Sequence, residues 1–386
     1  MNSKERILAA FEGRETDKIP TYQAGFSSYV ASAVLGREAY VGGGIQQWRE
    51  AKALWEGEEA HQEYLERSRR DALEIPKVLD LDLVRTSYWR MAEKPAKKID
   101  EHTFMYGDPD QAWQVRHFDP ETELYQLMDW HPKKEFTFED LERQVRAGEE
   151  ALEARPPRPS KPSEEIMEAL RIYGEERIVL GGGLGLSIPT RSEQQSHLWL
   201  EAIALKPELV ARHLNVQTER AIPNVEGQAK LGLRLLVGGG DFASNKGPFY
   251  SPKAFHELML PCLQRYSAVC RDHGMLYSYA SDGNLWPVAE DLFEKSGIDG
   301  YHEIDRRAGM DLGKLKERFP HLTLLGNISS HTVHVGTKEA VIRETLSCLE
   351  AAKQYGGIIV GCSNYPVPQT PMENFWAMIE TIQKYR

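Results

Sequence analysis

From Asp82 onward the chain repeats one pattern: a short apolar or β-branched run, a closing Gly, Asp, Asn or Ser, then a longer stretch with apolar residues at helical spacing. The runs predict strands over 82–89, 177–186, 233–241, 275–281, 298–304, 322–328 and 357–361. Helical periodicity fills most of the gaps, over 251–273, 285–295, 310–319 and 337–355. Ser251-Pro252 opens the first of these with a capping hydroxyl and a proline at the first helical position. Strand–helix alternation of this kind demands parallel pairing through right-handed crossovers. Seven such strands, with an eighth near Pro20, predict an α/β fold of the (β/α)8 TIM barrel type.

Upstream the pattern changes. Residues 3–13 read as a short amphipathic helix with Ser3 as N-cap and Gly13 as its stop, and 44–75 as one long polar helix, together an N-terminal helical extension. Residues 103–130 alternate apolar and polar positions around Asp108-Pro109-Asp110 and Asp119-Pro120-Glu121, which predicts a small inserted antiparallel β meander. A proline-rich connector follows at 154–162. The expected organisation is a single barrel domain over 1–386, carrying an insertion at about 95–162.

Composition narrows the function classes. A chain of 386 residues with 41% hydrophobic content can bury a large core, and 58 Asp+Glu against 47 Lys+Arg give a net charge of −11. That charge repels nucleic acid and anionic membrane surfaces, so neither is an expected partner. No apolar run approaches the roughly 20 residues of a membrane span, and the charged start is unlike a signal peptide; the expected location is the cytoplasm. Cys262, Cys270, Cys348 and Cys362 show no CxxC spacing, as suits a reducing compartment.

In a barrel the chemistry sits where the strands end, and these ends are polar. They read Tyr88-Trp89-Arg90, Gly240-Asp241, Tyr279-Ala280-Ser281-Asp282-Gly283-Asn284, Tyr301-His302-Glu303, Gly326-Asn327 and Gly361-Cys362-Ser363-Asn364. Each is also what a turn or a helix cap uses; their convergence is what points to a site. Asp241 and Asp282 end neighbouring strands, where one carboxyl with a raised pKa would act as an acid. In a straight strand only one of His302 and Glu303 faces the mouth, and Glu303 is the choice. Cys362 closes the last strand, where a thiolate would bind a soft metal, with Asp282 as partner; an unreactive packed thiol is the alternative. The glycine runs at 181–183 and 238–240 fit neither nucleotide-binding fingerprint and read as places of close backbone approach.

Several motifs in this order carry a resemblance: Gly13-Arg14-Glu15-Thr16-Asp17-Lys18-Ile19-Pro20, Gly240-Asp241 to Ser251-Pro252, Ser281-Asp282-Gly283-Asn284, Gly326-Asn327 and Thr370-Pro371-Met372-Glu373-Asn374. Together the chain resembles the uroporphyrinogen decarboxylase superfamily over nearly its whole length. The resemblance implies a (β/α)8 barrel and one of two chemistries, cofactor-free decarboxylation of a porphyrinogen or methyl transfer involving corrinoid proteins and thiols. The decarboxylases carry Arg-Gln-Ala-Gly-Arg where this chain has Tyr22-Gln23-Ala24-Gly25-Phe26, so both carboxylate-binding arginines are aromatic here. Their catalytic aspartate aligns near Ser87-Tyr88, which leaves Asp82 a structural part. The zinc-dependent methyltransferases carry His-x-Cys where this chain has Ala280-Ser281-Asp282, so of three soft ligands only Cys362 remains.

The resulting expectation is a divergent methyltransferase-like enzyme acting on a small or medium methylated compound, with a corrinoid supplied by a partner protein and zinc as a possible metal. Asp241, Asp282 and Glu303 are the catalytic candidates. Tyr22, Phe26, Tyr88, Tyr279, Asn284, His302, Asn327 and Asn364 are assigned to substrate binding, with Trp89 beside them in an aromatic pocket. A decarboxylase of a less anionic substrate and a non-catalytic ligand-binding barrel are the alternatives.

Overall fold

The computed structural model describes residues 1–86, 89–133, 135–190 and 195–386. Seven strands form one curled, all-parallel sheet in the order of the sequence: Leu83–Val84, Ile178–Gly182, Leu235–Gly239, Leu276–Ala280, Gly300–His302, Thr323–Leu325 and Ile358–Ile359. All seven expected strands are present, though shorter than their apolar runs, because pairing ends where the backbone turns into the loops. At the two edges lies the segment around Thr21, which bridges Val360 in parallel and accepts the Asp82 N–H on its carbonyl at 3.0 Å.

The strand starts are sealed by the first helix, Ser3–Phe11, which packs Ile7 and Ala10 on Leu83, Ile178, Leu235 and Ile359. Its N-cap is Asn2, in a capping box with Glu5, one residue before the expected Ser3. Here Asp82 has the structural role expected of it. Fully buried, its carboxylate accepts from Arg6 Nη1 at 2.5 Å, from the Thr21 N–H at 2.8 Å and from Arg386 Nη2 at 3.2 Å, tying the first helix, the edge segment and the C-terminus together.

The long helix expected over 44–75 is two helices, Gly44–Glu56 and Glu58–Val78, broken at Gly57, whose φ of 128° no helix tolerates. The meander forms as expected and gains a strand: Lys97–Lys98, Thr103–Gly107, Trp113–Asp119 and Leu124–His131 pair antiparallel. Its hydrophobic face buries Phe104, Tyr106, Phe118 and Tyr125 against Ala51 and Trp48 of the Gly44–Glu56 helix. From the turn before its last strand, Glu123 accepts the N–H groups of Ser28 and Tyr29 at 2.7 and 2.8 Å. This carboxylate caps the Ser28–Leu35 helix and anchors the insertion beside Phe26. The proline-rich stretch is irregular, between helices Phe138–Ala154 and Glu164–Tyr173. Among the described residues no helix is long and apolar enough to cross a membrane.

Candidate active site

A cavity of about 430 Å³ opens where the parallel strands end. Asp241, Asp282 and Glu303 all line it, and their carboxylates present oxygen atoms within 4.8 Å of one another. Each reaches this point by a different local device. Asp241 follows Gly239, whose φ of 150° and closeness to the next strand, with a side-chain Cβ placed 2.1 Å from the Ala280 carbonyl oxygen, admit only glycine. The run expected to permit close backbone approach does so here. Asp282 follows the Leu276–Ala280 strand; its N–H donates to Asp241 Oδ1 at 3.3 Å, and its Oδ2 accepts from Asn364 Nδ2 at 3.0 Å.

Glu303 follows the Gly300–His302 strand with φ of +69°, a left-handed conformation that costs a non-glycine residue free energy and recurs at functional sites. Of the two neighbours only Glu303 faces the mouth, as expected. His302 lies buried beneath, its ring 5.4 Å from that of Tyr22, while Glu303 lines the cavity. Burial, and then the neighbouring Asp282 and Asp241 carboxylates, push the Glu303 carboxyl up to about 8, against a smaller pull from Arg85. Asp241 or Asp282 was expected to carry the raised carboxyl; the one raised here is Glu303's. Burial and the Arg85 cation hold His302 down at about 3, so its imidazole is neutral.

The strand ends do not all converge. Phe26 and Asn364 line the cavity with the carboxylates. Tyr22 is buried below it, its ring beside that of His302 and its hydroxyl within the electrostatic reach of Arg85 and Glu303. Tyr279 is a core residue, its hydroxyl donating to the Leu186 carbonyl at 3.0 Å, because a tyrosine this deep needs a backbone partner. Asn284 is a turn residue whose Oδ1 accepts the Trp286 N–H at 3.1 Å, the capping use of such a residue. Asn327 lines a separate cavity of about 280 Å³ with Ile304 and Met310. Contrary to expectation, Tyr22, Tyr279, Asn284, His302 and Asn327 do not line the carboxylate cavity. Tyr88 lies outside the described residues.

Cys362 also departs from its assignment. It is fully buried, its thiol is pushed up to about 12 by burial, and its electrostatic neighbours include Glu344 and Cys348 of the Lys338–Tyr355 helix. A thiol so placed is the unreactive packed one, and it does not join Asp282 at a metal. Among the described residues the one group with metal-ligand spacing is the three carboxylates, an all-oxygen set that suits a hard divalent cation rather than thiolate-bound zinc. The zinc chemistry implied by the resemblance does not fit these residues.

Two cavity features escaped the sequence reading. Arg85, just after the Leu83–Val84 strand, lines the cavity and donates from Nη1 to the Ala24 carbonyl, so a cation returns beside the segment that lost both arginines. Its position closing the first apolar run was the available signal. Tyr365, next to Asn364, meets Trp89 edge-on, their rings 6.5 Å apart.

The family model for uroporphyrinogen decarboxylase matches residues 142–385, from the helix after the meander to the end of the last helix. Among solved structures, a methyltransferase from Methanosarcina mazei aligns over 100% of this chain and 99% of its own, with a TM-score of 0.65 at 20% identity, which shows a shared fold. A sugar phosphate isomerase/epimerase from Parabacteroides distasonis, with a TM-score of 0.30 at 10% identity, covers 58% of this chain and 74% of its own. The spore cortex-lytic enzyme of Bacillus megaterium, with a TM-score of 0.33 at 11% identity, covers 67% and 77%. Likenesses that weak carry no argument. No curated protein matches the sequence. With more than half its length matched by the family model, and with that fold, the chain belongs to the uroporphyrinogen decarboxylase family.

Proposed function

We propose that this chain is a methyltransferase-like enzyme that takes a methyl group from a small methylated compound and passes it to a thiol or to a corrinoid carried by a partner protein. In this reading the curled sheet is a (β/α)8 barrel, closed by the segment around Thr21, and the strand-end cavity is the active site. The observation that carries the reading is the meeting of Asp241, Asp282 and Glu303 in one cavity, with Glu303 still protonated near neutral pH.

Methyl transfer breaks the bond between the methyl carbon and its heteroatom and forms one to the incoming nucleophile. The heteroatom keeps the bonding pair, and the reaction is easy only when that pair is neutralised. Glu303 can supply the proton, an acid poised near the working pH being the efficient choice. Asp241 and Asp282 hold the proton on Glu303 by like-charge repulsion, and Asn364 fixes the Asp282 carboxylate. The corrinoid, when a partner presents it, supplies the nucleophile.

Incubating the protein with O-, N- and S-methylated small compounds, plus a thiol or a corrinoid protein, and following methyl loss by mass spectrometry tests this reading. Demethylation that disappears in Glu303→Gln is expected; no methyl loss from any donor class would sink the proposal. Arg85 favours a second reading, decarboxylation of a carboxylated, porphyrinogen-like substrate, because a guanidinium in the cavity would hold a carboxylate. Stepwise carboxylate loss from uroporphyrinogen would promote it.

A further inference from the structure

The strand-end cavity has two walls of different origin. Asp241, Asp282 and Glu303 lie within the residues matched by the family model, whereas Phe26, Gly42, Gly43 and Trp89 precede them. Trp89 is the most exposed of this second group, with 49% of its surface open, so core packing does not by itself decide where the indole stands.

One helix holds it from two sides. Gly43, the N-cap of the Gly44–Glu56 helix, is the seat: a side-chain Cβ there would lie 3.3 Å from the indole Cε3 and Cζ3 atoms. About two turns on, Glu50 grips the residues that follow the indole. Its fully buried carboxylate accepts from Arg90 Nε and from the Met91 N–H, each at 2.8 Å on Oε2, and from Arg90 Nη2 on Oε1. His61 Nε2 lies 3.2 Å from Oε1. The helix is seated in turn on the meander, where a Cβ at Gly44 would lie 2.4 Å from the Tyr125 nitrogen.

We infer that Glu50 is a positioning residue for this cavity: through Arg90 and the Met91 N–H it holds Trp89 against Gly43, and so sets where the wall opposite the carboxylates stands. The role does not depend on which reaction the carboxylates perform, and it goes beyond the methyl-transfer reading.

The grip is more than an ion pair that staples two segments. Burial works against the Glu50 charge, but Arg90, the Met91 N–H and His61 outweigh it, and the carboxyl stays below its ordinary value. A forked arginine–carboxylate pair admits one geometry, and the Met91 N–H on the same oxygen ties that geometry to the main chain. An apolar pair of similar size often costs a fold nothing, yet here it would leave the segment after Trp89 unanchored. Asp82 supplies the contrast. It too is a buried carboxylate holding two arginines and a backbone N–H, but its partners Arg6, Thr21 and Arg386 line no part of the cavity.

The test is fluorine NMR of the intact protein carrying 6-fluorotryptophan, a label that leaves the ring atoms facing Gly43 unmodified. The Trp89 signal is the one that Trp89→Phe removes. No methyl donor or acceptor is present, so the result is independent of whether methyl transfer occurs. In Glu50→Gln the Trp89 signal should shift toward that of the free amino acid, while signals from tryptophans beyond this helix, such as Trp199 and Trp376, keep their places. Glu50→Leu combined with Arg90→Leu should shift it in the same way, and this apolar pair keeps the test available if Glu50→Gln folds poorly. Asp82→Asn should lower the melting temperature and leave the Trp89 signal where it is. A Trp89 signal unmoved in both Glu50 variants, or moved as far in Asp82→Asn as in Glu50→Gln, would overturn the inference.

Discussion

The side chain of Asn364 joins the last strand-end loop to the fourth: its Nδ2 donates to Asp282 Oδ2 at 3.0 Å while its Oδ1 accepts the Tyr365 N–H at 2.7 Å. The amide is thereby fixed in one orientation, and it fixes the carboxylate whose charge helps keep Glu303 protonated. Asn364→Ala removes a hydrogen bond to a charged group, worth about 1.5–3 kcal/mol. Turnover should fall about tenfold to a hundredfold with little change in melting temperature, and steady-state kinetics beside a thermal melt would show it.

In the methyl-transfer reading Glu303 gives the activity its pH dependence. As an acid with a pKa of about 8 it must be protonated to work, so the rate should be flat below that value and fall as pH rises through it. In Glu303→Gln this alkaline limb should vanish, along with most of the rate.

The same shift bears on stability with a definite sign. The folded pKa lies above the ordinary carboxyl value, so the proton stabilises the fold fully below about 4.5 and the contribution is lost as pH rises to about 8. Above pH 8 the wild type carries a buried charge that Glu303→Gln lacks. The variant should therefore melt higher than wild type at pH 9 and no higher at pH 4, as paired melting curves would reveal.

Asp82 should affect stability and not chemistry. Removing one partner of a buried ion pair leaves the others uncompensated, typically at about 3–5 kcal/mol. Asp82→Asn should lower the denaturation midpoint substantially through the loss of its Arg6 and Arg386 pairing, while the folded fraction keeps wild-type kinetics.

For Cys362 the decisive comparison is metal content. A fully buried thiol displaced to about 12 does not present a thiolate, so Cys362→Ser and wild type should carry the same zinc content by elemental analysis. Zinc present in the wild type and lost in the variant would restore a thiolate site.

The parallel sheet was legible in the sequence because strand and helix periodicities alternate with a closing polar residue each time, and the meander because its 2-residue alternation breaks that rhythm. The meeting of three carboxylates was legible for the same reason: Asp241, Asp282 and Glu303 all sit at strand ends, which the fold brings to one mouth. What could not be read was direction. Tyr279 and Asn327 also sit at the ends of apolar runs, yet the first faces the core and the second another cavity, a distinction set by strand length and local twist. Nor does periodicity reveal that Glu303 adopts a positive φ, although alternation alone picked it over His302 for the cavity. Arg85 was missed because a single cation after a short apolar run looks like a surface residue until the loops around it are in place.

The most direct measurement is transfer of an isotopically labelled methyl group from a small donor to a thiol or corrinoid acceptor by wild type and by Glu303→Gln, side by side with uroporphyrinogen as the competing substrate. The account predicts label in the acceptor with wild type, little or none with Glu303→Gln, and no loss of uroporphyrinogen carboxylates with either. Carboxylate loss without methyl transfer, or label transfer at the wild-type rate by Glu303→Gln, would contradict it.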